Sequence, residues 1–230
     1  MTELTSPLSQ INNKPLREQV LDALREAIVQ GDLKPGQTLI EADLAAQLGI
    51  SRAPIREALQ ILNSEGLLEI VPYRGTTVRR LSRQDIEELY SLRSVLEEFA
   101  MRRIIAHDNP DDIALLRAHY SKMLTAAEKG NLKELNELDR AFHATLIDLS
   151  RHNLLAVVWS MVALRIRQVM ALLNMRNQDI KQIAYNHLPI IDALEDGDEN
   201  RAVTLIKRHI AATGELIAEG WPQETAEDDR

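Results

Sequence analysis

From Ser82 to Glu219 the apolar residues recur at helical spacing, and short breaks such as Asn109-Pro110, Gly130-Asn131 and Gly197 separate the runs. A stretch of this kind buries its apolar faces only by packing helix against helix, which predicts an all-α antiparallel bundle of about six helices. The predicted spans are Ser82–His107, Asn109–Lys129, Leu132–Leu149, Asn153–Asn174, Asp179–Asp196 and Glu199–Glu219. Ser82 and Asn153 stand where N-caps belong. The fourth span is apolar on nearly every face and is expected to be the central, buried helix. Pro189 should kink the fifth, because it removes a helix hydrogen bond to Tyr185. With 9 glycines and 8 prolines in 230 residues, the chain is too poor in turn formers for a β-rich fold.

The first 80 residues read differently. Residues 1–12 are polar and aperiodic, as in a flexible arm. Helical patterns follow over Pro15–Gln30, Ala42–Leu48 and Ser51–Ser64, with Gly31, Gly49 and Gly66 closing them. Ser51 occupies an N-cap position, and Pro54 falls in the first turn, where its missing N–H costs little. Leu67–Val71 and Thr76–Arg79 flank Pro72-Tyr73-Arg74-Gly75 and predict a β-hairpin. The fold expected is therefore mainly α: a winged helix-turn-helix over 13–80, a helical domain over 81–220 and a loose acidic tail over 221–230.

The net charge of −8 argues against a nucleic-acid partner only until its distribution is considered. Residues 81–230 hold 18 basic against 25 acidic side chains, whereas residues 51–80 hold 5 arginines against 3 glutamates. Local potential, not the total, steers association. The absence of cysteine excludes disulfide scaffolds, thiolate metal sites and cysteine nucleophiles. No apolar run reaches the ~18 residues of a membrane span, and the N-terminus lacks a basic-then-apolar leader. The expectation is a cytoplasmic protein without a membrane partner.

Residues 31–78 carry Gly31, Pro35-Gly36, Leu39, Glu41, Leu44-Ala45, Leu48-Gly49, Ser51-Arg52, Pro54, Arg56-Glu57-Ala58-Leu59, Leu62, Glu65-Gly66-Leu67 and Gly75. In this pattern the stretch resembles the winged-helix domain of the GntR family of bacterial transcription regulators. A recognition helix enters the major groove by its N-terminal end, where this one carries Arg52 and Arg56 one turn apart. Each arginine can hold guanine O6 and N7 through two bonds, worth ~1–3 kcal/mol of discrimination. Ala53 and Gln60 complete the candidate helix contacts, and Ser51 with the helix N-terminus would meet a phosphate. Arg74 and Gly75 at the hairpin tip would enter the minor groove. The plainer reading is that Arg52 and Arg56 only solvate the helix or pair with Glu57 and Glu65.

Asp139 and His143 lie four apart, on one face of a predicted helix. His187 lies 10 residues before Gly197 and His209 lies 12 after it, so an antiparallel hairpin would bring both to one height at ~1.5 Å rise per residue. One carboxylate and three imidazoles converging between helices suit a divalent transition metal with open positions left over. Zinc is the leading candidate, and nickel, manganese or iron would suit the same mixed nitrogen–oxygen set. Asp139-x-x-x-His143, His187 and His209 also resemble the metal-binding FCD ligand domain of the FadR branch of GntR regulators. That resemblance implies a small organic acid completing the metal shell. Arg93 and Arg165, arginines on otherwise apolar faces, are the candidate clamps; for Arg93 the alternative partner is Glu97, one turn on. Arg167 sits on a small-residue face better suited to helix contact, and His107, His119 and His152 read as surface or loop residues.

The reading that joins these parts is a non-enzymatic transcription regulator, a repressor in the commoner family behaviour. It would bind a palindromic operator as a homodimer and respond to a metal-bound effector. The competing class is a hydrolase- or lyase-type metalloenzyme. Against it stand the lack of an HExxH motif, the lack of a glutamate in the ligand set, and a DNA-reading domain left without a role. A metal-stabilised helical interaction module, with no effector, is the third class.

Overall fold

The computed structural model describes residues 14–71, 75–172 and 179–221. The expected arm, the hairpin tip Pro72-Tyr73-Arg74 and the chain beyond Trp221 lie outside the described residues. The chain divides into two units at Arg79/Arg80, with Val29–Gly31 counted in the second.

In the first unit α1 (Leu16–Val29), α2 (Glu41–Leu48) and α3 (Arg52–Ser64) precede β2 (Leu68–Val71) and β3 (Gly75–Val78). A further strand, β1 (Thr38–Leu39), pairs with β3 to give an antiparallel sheet of order β1-β3-β2, in register Thr38↔Thr77 and Val71↔Gly75. Two residues are too few for alternation to show, which is why the sequence gives no sign of β1. The turn between α2 and α3 depends on Gly49, whose φ of 67° is left-handed. With Gly49 in that state the amide of Ile50 returns to Ala45 O at 3.0 Å and closes the end of α2. Ile55, Leu59 and Leu62 of α3 and Val20, Leu24 and Ile28 of α1 are all buried. Each such side chain contributes about 1.5–3 kcal/mol on burial.

The second unit holds α4 (Arg83–His107), α5 (Pro110–Glu128), α6 (Leu132–Leu149), α7 (Asn153–Leu172), α8 (Ile180–Tyr185), α9 (Leu188–Glu195) and α10 (Glu199–Gly220). Ser82 and Asp85 form a reciprocal capping box at the head of α4. Asn109, Asn131, Asp179 and Asp198 cap α5, α6, α8 and α10 with their side chains.

Four expectations are corrected here. The single kinked helix over Asp179–Asp196 is two helices, α8 and α9, with Asn186 and His187 between them. Pro189 has no N–H to continue the α8 ladder, and it sits instead in the first turn of a new helix, where none is needed. The cap of α7 is His152, whose Nδ1 accepts from the amide of Leu155 at 3.1 Å, and Asn153 is the first helical residue. Nor is α7 the buried centre. It buries Leu155, Trp159, Val162, Ile166 and Val169 but exposes a second apolar stripe of Leu154, Val157 and Met161. The element packed on α6, α7, α9 and α10 is α4, with its tightest partner α10. By length and composition α7 could cross a membrane, and it packs on α4 and α6. Trp221 is not part of a loose tail: its indole Nε1 donates to Leu81 O at 2.7 Å.

Candidate functional site

Ser51 at the N-cap, Arg52, Ala53 and Arg56 in the N-terminal half of α3, and Gln60 one turn further on all lie exposed, on the side away from its core stripe. Ser51 stands at the N-cap, yet its side chain makes no capping hydrogen bond. The alternative pairing of these arginines with Glu57 and Glu65 is not found among the described residues. Glu65 receives Arg25 at 2.6 Å and Glu57 lies 3.7 Å from Arg17. Arg56 instead donates to both oxygens of Glu41 on α2, at 3.0 Å from Nε and 2.8 Å from Nη2. Gly75 begins β3 with φ of 95°, a conformation open to glycine; Arg74 lies outside the described residues.

In the helical unit, α6 supplies Asp139 and His143 from one face, the α8–α9 break supplies His187, and α10 supplies His209. One donor atom from each lies within 4.8 Å of the others. His143 and His187 are buried, and Asp139 has a 19% exposed side chain, so the group lies at the edge of the core. His187 Nδ1 donates to Ile183 O at 2.9 Å, which leaves Nε2 as a lone pair facing the cluster. That Nε2 lies 3.1 Å from Asp139 Oδ1 and is buried, and no hydrogen bond of ordinary geometry satisfies it. His143 and His209 approach Nε2 to Nε2 at 3.3 Å with their rings stacked. A buried orphan nitrogen beside two facing nitrogens is costly for the bare chain, and a cation satisfies it.

The electrostatics favour the ligating forms of these groups. Burial, then the neighbouring His187 and His143, hold His209 well below the ordinary histidine range, and burial likewise lowers His143. Burial works against ionisation of Asp139, but its contacts with His187 and His143 and the charge of Arg93 outweigh that and lower it. Neutral imidazoles with an ionised carboxylate are what a divalent ion requires.

The family description "Bacterial regulatory proteins, gntR family" matches residues 16–78, and "FCD domain" matches residues 88–212. The chain belongs to the GntR family. It is 34% identical over 196 residues to the probable D-xylose utilization operon transcriptional repressor of Paenarthrobacter nicotinovorans, covering 84% of this chain and 85% of that one. It is 26% identical to the gluconate operon transcriptional repressor of Bacillus subtilis, covering 95% and 92%. Among solved structures, E. coli McbR/YncC matches with a TM-score of 0.73 at 25% identity, over 90% of this chain and 99% of that one. A putative GntR regulator from Rhodococcus sp. RHA1 matches with 0.74 at 26%, over the same shares. Like these relatives, this GntR-family chain is a regulator rather than an enzyme.

The site of this GntR-family regulator contains one residue that the sequence reading left out. Glu97 of α4 is fully buried, and its Oε2 lies 2.5 Å from His143 Nδ1 while Oε1 accepts from Arg93 Nε at 2.7 Å. The missing signal is distance along the chain: Glu97 is 46 residues from His143, and its spacing from Arg93 reads as an ordinary helix pair. Arg93, a candidate effector clamp, is buried, tied to Glu97 and close enough to lower Asp139. Arg165 is half-buried on α7, with no hydrogen-bond or ion-pair partner among the described residues. His107, His119 and His152 remain outside the cluster. His119 is nevertheless half-buried between α5 and α6, 3.2 Å from Thr145 Oγ1, and His152 serves the α7 cap.

Proposed function

We propose that this regulator represses transcription as a homodimer on a palindromic operator, and that a small carboxylate metabolite at a divalent metal site in the helical domain modulates its grip. The observation that carries the reading is the convergence of Asp139, His143, His187 and His209, with a buried unpartnered nitrogen at its centre. Held by these four, an ion such as zinc would offer its open coordination positions to a carboxylate. Arg93 adds positive charge beside Asp139, and Arg165, without a competing partner among the described residues, would be a second anion contact. Gluconate, for which one relative's operon is named, is itself a small carboxylate.

On the DNA side, Arg52 and Arg56 would read guanines in the major groove, with Ala53 and Gln60 along the same face. Ser51, whose hydroxyl is not spent on a cap, would meet a phosphate with the first amides of α3. Arg56 exchanges Glu41 for the base when DNA arrives. Arg74 and Gly75 of the wing would follow the minor groove. Two half-sites require two copies, and the exposed stripes on α4 (Leu92, Val95, Phe99) and α7 (Leu154, Val157, Met161) offer an apolar face for pairing. The effector regulates by binding one dimer geometry better than the other.

Operator binding to promoter fragments near the coding region, together with elemental analysis, tests both halves. Arg52→Ala/Arg56→Ala should weaken binding at least about tenfold and level the sequence preference. Asp139→Ala and His209→Ala should lose the metal. Unchanged affinity and preference would remove the recognition helix; wild-type metal content would remove the site.

A further inference from the structure

Beyond its four donors, the cluster has a support that reaches it from another helix. His143 can serve a metal through Nε2 only if its proton stays on Nδ1, and an imidazole in water carries that proton mostly on the other nitrogen. Glu97 approaches Nδ1 at 2.5 Å, with both groups buried, and its own second oxygen is held by Arg93 Nε at 2.7 Å. Arg93, Glu97 and His143 are 4%, 0% and 1% exposed, so none of these contacts is traded with solvent. His187 receives the same treatment from a backbone carbonyl, Ile183 O at 2.9 Å. Two rings are thus held by acceptors at Nδ1 so that both Nε2 atoms face Asp139.

We infer that Glu97, anchored by Arg93, is the positioning residue that fixes the tautomer and orientation of His143. The inference rests on the metal site proposed above but concerns a property the chain has without metal. Glu97 is not a ligand: its Oε2 faces the ring nitrogen remote from the cluster, and its Oε1 faces Arg93. Nor is it a general base, since both oxygens are engaged. An acceptor of this kind raises the ligand's basicity and holds its plane, and its loss costs a metal site about 10–100-fold in affinity.

The test combines long-range proton–nitrogen NMR of the histidines in the chelated, full-length chain with zinc affinity measured against a chromophoric chelator. In the chelated wild type, His143 should show a protonated Nδ1 and a bare Nε2; the opposite tautomer overturns the inference whether or not zinc binds. Glu97→Gln, nearly isosteric, can turn either its oxygen or its amide to the ring. It should give His143 a mixed tautomer and weaken zinc binding about 10–100-fold with the helical fold retained. Wild-type affinity and a wild-type His143 signal in folded Glu97→Gln overturn the inference. Should the wild type itself bind no zinc, the metal reading falls, and the His143 signal alone then supports or overturns the role of Glu97.

Discussion

His209 and His143 meet nitrogen to nitrogen at 3.3 Å inside the helical unit, and both are held below the ordinary histidine value of 6.5, first by burial. An unfolded chain lacks that burial, so below pH 6.5 it binds protons that the folded chain refuses. The stability contributed by neutral histidines is therefore full above the unfolded value and is lost as the pH falls through it. In chelated protein the denaturation midpoint should fall between about pH 7 and about pH 5.5, and His209→Leu should flatten that slope. A midpoint that rises on acidification would contradict the burial of these rings. Asp139 and His143 were legible because four residues make one turn of a helix, and His187 with His209 because Gly197 marks a hairpin. Glu97 was not, because sequence periodicity shows which face of a helix turns inward but not which distant ring that face meets.

At the scale of elements, most helix ends follow their caps, as Ser82, Asn109, Asn131 and Asp198 show. Where the reading failed, one signal had two causes. A helix apolar all round, α7, can be buried on every side or can carry one stripe for its own core and another for a partner. Pro189 can kink a helix or begin one, and the His187 carbonyl accepting from Ile190 and Ile191 shows that it begins one. The contact of α4 with α10 depends on a small residue that periodicity does not flag. A Cβ at Gly214 would lie 2.8 Å from Tyr90 Cβ, an atom fixed to the α4 backbone. Gly214→Ala gains up to about 1 kcal/mol of helix propensity. It also forces the two helices apart, at about 1–3 kcal/mol. Thermal unfolding should therefore show a destabilised chain; a stabilised one would mean that the α4–α10 approach is looser than described.

For the whole molecule, α4 (Leu92, Val95, Phe99) and α7 (Leu154, Val157, Met161) each leave three large apolar side chains exposed. They meet where the Phe99 and His152 rings pack edge to face at 5.3 Å. If they are the dimer face, Val157→Glu should give a folded chain of monomeric mass by light scattering, with its operator affinity sharply reduced, because two half-sites need both copies. A Val157→Glu chain that remains dimeric would place the pairing elsewhere. The clasp between Trp221 and Leu81 spans 140 residues and joins the start of the helical unit to the end of α10. During translation, α4 waits for its main partner until α10 has left the ribosome, whereas the core of the first unit is complete once Val78 emerges. The winged-helix unit can thus assemble early, whereas the helical unit completes its packing only after α10 has been made.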